Sequence, residues 1–319
     1  MSETSAGSSS SPQETDAATA RTLAPSLSWR DLAIGLAATC GTLSIWAAWP
    51  VVTRHGVTGA LDPMSIAVLR FLPPALILAP FWLRAGLFPK LPWPVLFGLF
   101  CGGLPFFIGA AEGFRLTSVA NTVAVASGVI PVSVAVMTWL IFGARIPRTR
   151  LIGLGLIVIA ILIAGSYGIL AGGPYVWLGQ LLFASSNVAF AIYTVAFPFA
   201  RMTAMQATGI IAVWSLIIVA PFGLPGVINA VQQGLYGEIG LQLLQQGVLS
   251  AMVAFLTYSI AIKRLGPSRA ATLVALAPLL SSTAAYFVLD EVPGVPVLIA
   301  LVFTTVGVAL ASRVEPAKS

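Results

Sequence analysis

The sequence predicts an all-α membrane protein of ten transmembrane helices arranged as two inverted five-helix repeats. Three observations carry this. Hydrophobic residues make up 58% of the chain and charged residues only 8%, with a mean hydropathy of +0.97. Too few charges remain to coat a water-soluble domain of this length. Apolar stretches recur almost without interruption from Leu32 to Ala311, each long enough to cross a ~30 Å hydrocarbon core as a helix. Finally, the stretch Phe114–Ala164, with Pro131 inside a long apolar run and basic residues after it, returns about 147 residues later as Ile262–Ala311 around Pro278. Five apolar segments precede the midpoint near Gly173 and five follow it. An odd number of spans per repeat makes the two copies insert upside down relative to one another.

Taken in order, residues 1–28 are rich in Ser, Thr and Ala, acidic at the start and without a core-forming pattern, and read as a disordered cytoplasmic tail. They lack the basic start and early apolar stretch of a secretory signal, so the first span reads as an uncleaved anchor. The first repeat is assigned to 29–172, the second to 173–312, and a short cytoplasmic tail to 313–319. Breakers and charges then cut the apolar chain into spans near 32–53, 64–83, 93–113, 118–143, 151–171, 175–197, 204–224, 240–262, 269–290 and 295–312. RHGVTGALDP ends the first, RAGLFPKLP the second, ARIPRTR the fourth, AGGP the fifth and DEVPGVP the ninth. The loop Gly226–Gly240 is too polar to span and is expected to hold a short interfacial helix.

Lysine and arginine set the orientation. With the N-terminus inside, thirteen of them (Arg21, Arg30, Arg84, Lys90, Arg145, Arg148, Arg150, Arg201, Lys263, Arg264, Arg269, Arg313 and Lys318) fall on the inner side. Only Arg54 and Arg115 fall outside, and Arg70 lies within a span. That bias predicts cytoplasmic termini in a bacterial-type inner membrane. The net charge of +6 is therefore assigned to inner loops, not to a nucleic-acid partner. Trp29, Trp82, Trp93 and Trp177 fall at span ends, where an indole keeps its N–H in the interface. Cys40 and Cys101 sit in apolar runs and read as small core residues. No phosphate loop of the Gly-x-x-x-x-Gly-Lys-Ser/Thr type occurs, nor any metal-ligand spacing. No cofactor or metal is expected, and ATP-driven pumping within this chain is disfavoured.

The residues resemble the EamA-type carriers of the drug/metabolite transporter superfamily over nearly the whole chain after the tail. In the first half the resemblance rests on IWAAWPVVTR, on Pro63 followed by Leu69-Arg70-Phe71, and on LTSVANTVAVASGVIPVSVAVMTWLIFG with Gly153 and Gly155 beyond it. In the second it rests on NVAFAIYTVAF, YSIAIKRLGPSRAATLVALAPLLSSTAAYFVLDE and the glycine of TTVGVAL. The family usually ends the fourth helix of each repeat on a glycine–glutamate type of stop. Here the second copy has Leu289-Asp290-Glu291 and the first departs with Phe142-Gly143-Ala144. The resemblance implies a basket in which spans 1, 3, 4, 6, 8 and 9 enclose a central path, with 5 and 10 nearer the periphery. It also implies a secondary carrier, outward rather than inward, for a small organic metabolite such as an amino acid, amine or drug-like compound. Two other classes compete. An integral-membrane enzyme would need a nucleophile and base that this chain does not display, and a channel or sensor would need a filter loop.

Within the spans, the candidate substrate-path residues are Trp46, Trp49, Asn187, Phe190, Tyr193, Tyr258 and Ser282. Trp46 and Trp49 lie three apart on one face of span 1, and Phe190 and Tyr193 occupy the matching positions of span 6. Aromatic faces bind flat or cationic ligands, although such stripes also serve helix packing. Ser44, Asn121, Ser185, Ser186, Ser281 and Thr283 are further mid-span polar residues, which interhelical hydrogen bonding also explains. Arg70 sits inside span 2, where a charge costs roughly 2.5–3.5 kcal/mol on insertion scales and must find an acceptor. Glu112 lies at comparable depth. The open readings are anion recognition, a gate charge, or a structural ion pair between the two. Glu112 is also the candidate proton carrier, since burial raises a carboxyl pKa, unless Arg115 one turn on neutralises it. His55, the single histidine, reads as a solvated loop residue. The Gly98/Gly102, Gly109/Gly113 and Gly168/Gly172 pairs read as packing.

Overall fold

In lipid every backbone amide must be satisfied within its own segment, so an apolar chain of this kind folds as helices. The structure is a computed structural model describing residues 28–143, 146–171 and 173–311, and among these it contains helices and no strand. Residues 1–27 of the sequence-assigned N-terminal tail, the C-terminal tail 313–319 and the Gly172 end of one glycine pair lie outside the described residues.

Span 1 is α1 (Trp29–Thr58), whose start is capped by Ser28 accepting from the Asp31 amide. Span 2 is α2 (Pro63–Ile77) and α3 (Ala79–Ala85), meeting at 75°. Asp62 caps it, with Pro63 in the first turn where a missing N–H costs nothing. The bend falls at Leu78, after Pro73-Pro74 and just before Pro80, which has no amide to continue the ladder. Span 3 is α4 (Trp93–Cys101) and α5 (Leu104–Leu116), and span 4 is α6 (Val119–Ala126) and α7 (Val129–Phe142). Span 5 is α8 (Arg148–Leu170).

In the second half, α9 (Val176–Ala196) and α10 (Ala204–Gln232) form spans 6 and 7. Span 8 is α11 (Tyr236–Gln242), a π-helical stretch Leu243–Val253 and α12 (Ala254–Leu265). Span 9 is α13 (Pro267–Val274) and α14 (Ala277–Leu289), and span 10 is α15 (Val295–Ala311). Eight of these spans are long and apolar enough to cross a membrane, and the bent second span makes a ninth. α15, at 17 residues, is shorter.

The expected loop at 226–240 is corrected. α10 runs unbroken to Gln232 and the chain turns in three residues through Gly234, at φ 74°, into α11, which starts at Tyr236 and continues into span 8. The amides of Gln233 and Gly234 simply extend the helical ladder to Asn229 and Val231. Cys40 is corrected too, being exposed, whereas Cys101 is buried as expected.

Pseudo-symmetry is visible in the two fourth helices. Span 4 breaks at Ser127-Gly128, ahead of Pro131, and span 9 breaks at Ala275-Leu276, ahead of Pro278. Each proline lacks the amide that would bond four residues back, and its ring crowds that carbonyl. Both helices end on a residue in the left-handed region, Gly143 at φ 62° and Asp290 at φ 54°. Spans 5 and 10 pack on each other, and α4 and α5 pack on α9. Gly98, Gly102, Gly109 and Gly113 lie at that second contact, where an added Cβ would meet Ala196, Tyr193, Ser186 or the Gly179 carbonyl.

Candidate functional site

A cavity of about 380 Å³ lies where the two broken helices meet. Ser127, Ile130 and Pro131 line it from span 4, and Val274, Ala275, Ala277, Pro278 and Ser281 from span 9. Span 1 contributes Trp46, Trp49 and Pro50, span 3 Phe106, span 6 Phe183 and Asn187, and span 8 Tyr258. Val308 of span 10 completes the wall. No carboxylate, histidine, lysine or arginine is among these lining residues. The volume sits at the small end of the range for organic-ligand pockets, and mixing rings with a few polar groups is the usual composition of one. Trp46 packs on Tyr258 at 5.4 Å and Phe255 at 6.1 Å between ring centroids, so one end of the chamber is an aromatic wall.

Phe106 also faces a second, smaller cavity of about 70 Å³, lined by Arg70, Phe190, Tyr193 and Thr208 among others. Phe106 stacks on Trp49 (5.8 Å, 17° between planes) and touches Phe190 at 5.0 Å. Trp49, Asn187, Trp46 and Tyr258 thus share the large chamber, while Phe190 and Tyr193 face the small one behind Phe106. Ser282 faces neither, lining a cleft with Thr283, Tyr286 and Leu298, whereas its neighbour Ser281 lines the chamber.

The pairing of Arg70 with Glu112 is corrected. Glu112 accepts from Arg115 at 2.7 Å, the neutralising arrangement that their one-turn spacing allowed, and lines neither cavity. Arg70 instead donates to the Gln246 Oε1 at 3.0 Å, and its guanidinium lies 5.7 Å from the Trp49 ring centroid and 5.1 Å from that of Phe107. The same Gln246 oxygen accepts from the Trp49 indole at 2.7 Å. The amide group of Gln246 donates to Thr53 and Gln242, and Gln242 and Gln245 donate to the carbonyls of Val52 and Ile45. Three glutamines thus stitch span 8 to the middle of span 1, and they sit where the helix widens to π geometry, a feature common at functional sites. Sequence reasoning passed over Gln242, Gln245 and Gln246. Their i, i+3, i+4 spacing within an apolar segment was the available signal.

Four residues beyond Pro50 on α1, about 6 Å along the helix, Arg54 binds Glu291 at 2.8 Å. Glu291 also accepts the Val119 amide at 2.7 Å, and Arg54 donates to the carbonyls of Phe114 and Arg115. Side-chain exposures of 20% and 13% make this a largely desolvated pair. It ties together spans 1, 3, 4 and 9 just beyond the chamber. His55, one residue on, is helical rather than in a loop, and lies 3.2 Å from Glu238.

Comparison with known proteins agrees with this architecture. No curated protein matches the chain. A solved structure described only as a crystal structure of a protein superposes with a TM-score of 0.53 at 21% identity, over 87% of this chain and 96% of that one. At that identity the likeness concerns the fold alone. The EamA-like transporter family model matches twice, over 33–166 and 177–313. With both halves matched in succession, this multi-pass membrane protein belongs to the EamA-like transporter family.

Proposed function

We propose that the chain is a secondary carrier that exports a small organic metabolite by alternating access through the Trp46–Asn187–Tyr258 chamber. The observation that supports this most is the position of that chamber, between two symmetry-related helices broken at mid-span and walled by both repeats. Carriers built from inverted repeats bind cargo at such discontinuities near the midplane. The direction rests on an asymmetry of charge. The Arg54–Glu291 pair stands on what the basic-residue bias reads as the outer side. The position matching Glu291 in the first repeat is Ala144, so the sequence offers no equivalent carboxylate on the inner side. The inner-side pair, Arg264 with Asp31, is 47% and 35% exposed, and solvent-screened pairs of that kind contribute little. Closure is thus held more firmly on the outer side, which favours an inward-facing resting state that loads from within, the net direction then following the cargo gradient.

Proteoliposomes test the reading. Purified protein should give saturable exchange of a compound found by thermal-shift screening of amino acids, amines and drug-like molecules, and Ser127→Trp should abolish it by filling the chamber. Flux that rises linearly with concentration would indicate a channel, and no protein-dependent flux at all would sink the carrier reading.

Trp46 gives a sharper test. Trp46→Ala is expected to weaken binding by roughly 1–3 kcal/mol, the scale of a lost aromatic contact with its buried area. A packing role would lower the apo melting temperature and leave affinity intact, so both are to be measured on one preparation.

The orientation is checked by single cysteines. Those at Thr58 and Gly234 should react with an impermeant thiol reagent from outside intact cells, and one at Pro147 only after permeabilisation. Reaction of the Pro147 cysteine in intact cells would reverse the assignment.

A further inference from the structure

We propose that Arg70 and the small cavity beside it form a carboxylate subsite, so that the cargo is a small organic acid whose apolar body occupies the larger chamber. This deepens, and rests on, the carrier reading above. Among the described residues no carboxylate pairs with Arg70. The described acids are engaged elsewhere: Asp31 with Arg264, Asp62 at the start of α2, Glu112 with Arg115, Glu238 with His55, and Glu291 with Arg54, while Asp290 ends α14.

What Arg70 has is one amide oxygen and the faces of Trp49 and Phe107. A carbonyl dipole and two ring quadrupoles solvate a guanidinium without neutralising it. Moreover, Gln246 Oε1 is shared with the Trp49 indole. A guanidinium carries five N–H donors in a planar fork, matched to the two oxygens of a carboxylate. The adjoining cavity of about 70 Å³ has room for a carboxylate, and Tyr193 and Thr208 bring hydroxyl-bearing side chains to its wall. It also adjoins the chamber. Phe106 lines both cavities and Trp49 lies between the chamber and the guanidinium, so a ligand with its body in the chamber places its charged end on Arg70 once the stacked Phe106 ring turns aside.

The test uses the full chain in detergent and pairs of probes differing only in charge: 3-phenylpropanoate against 3-phenylpropanamide, and indole-3-acetate against indole-3-acetamide, measured by calorimetric titration at neutral pH. In the wild type each acid should bind about tenfold or more tightly than its amide, as expected when a charge-assisted bidentate pair is gained. In Arg70→Gln the acid should fall to the level of its amide. Equal affinities in the wild type, no binding of either member, or a preference that survives Arg70→Gln would each overturn the subsite. If Arg70→Gln does not elute as the wild type does, the wild-type contrast between acid and amide decides alone. Vesicle flux separates the two proposals. Acid preference in solution without protein-dependent flux of the acid leaves the subsite and removes the carrier. Flux without acid preference does the reverse.

Discussion

Glu291→Gln is expected to open the Arg54 side of the chamber. The substitution keeps the shape of the side chain and its ability to accept the Val119 amide, but removes the charge opposite Arg54. One-sided loss of a fully buried pair costs about 3–5 kcal/mol, and of an exposed pair about 0–1 kcal/mol. With both side chains four-fifths or more covered, an effect of roughly 2–3 kcal/mol is expected. If that energy is specific to the closed state, it shifts the closed-to-open ratio about 30–150-fold. The measurement is the rate at which a cysteine at Ser127, in a chain whose Cys40 and Cys101 have been replaced by alanine, reacts with an impermeant thiol reagent added from the Glu291 side. The mutant should react faster by that factor. Arg54→Gln should match it, and the double mutant should be no faster than either single one, because the two residues form one contact. Unchanged reactivity with a lowered melting temperature would show the pair to be a staple common to both states.

The largest loss of stability is expected at the contact between spans 5 and 10. A Cβ on Gly153 would stand 2.6 Å from the Gly307 carbonyl oxygen and 2.6 Å from the Ala311 nitrogen, and one on Gly307 would stand 2.7 Å from the Gly153 oxygen. Those are backbone atoms of the opposite helix, so no rotamer change relieves the clash. Either glycine to alanine forces α8 and α15 apart, at about 1–3 kcal/mol, and to valine more. Gly155→Ala is the control two residues away, since a Cβ there meets nothing within 4 Å. It should be neutral or slightly stabilising, because alanine is the better helix former. Thermal melting of the variants in one detergent checks the contrast. Gly153→Ala as stable as Gly155→Ala would mean that this close approach does not hold the helices together.

The amino-acid sequence by itself determined the elements. In a membrane, backbone hydrogen bonds close within four residues along the chain, so hydropathy and breakers locate the spans, while the breaks inside spans 4 and 9 and the run of α10 to Gln232 appeared only in the structure. Asp62-Pro63 thus starts α2, and the doubling of the chain is legible as inverted repeats. It also brought Trp46 and Trp49 to one face of span 1, and both line the chamber.

Partnership between helices was decided only by the tertiary structure. Arg70 finds Gln246, 176 positions away, and Arg54 finds Glu291, 237 away. Glu112 turns instead to Arg115 one turn along. Spacing along one helix specifies which residues share a face; it does not specify which face of another helix will meet it. For the same reason Phe190 and Tyr193 look equivalent to Trp46 and Trp49 in sequence yet lie behind Phe106 in a separate cavity. Rotation and depth of whole helices are set by close contacts such as Gly153 on Gly307, made between segments that the chain holds far apart.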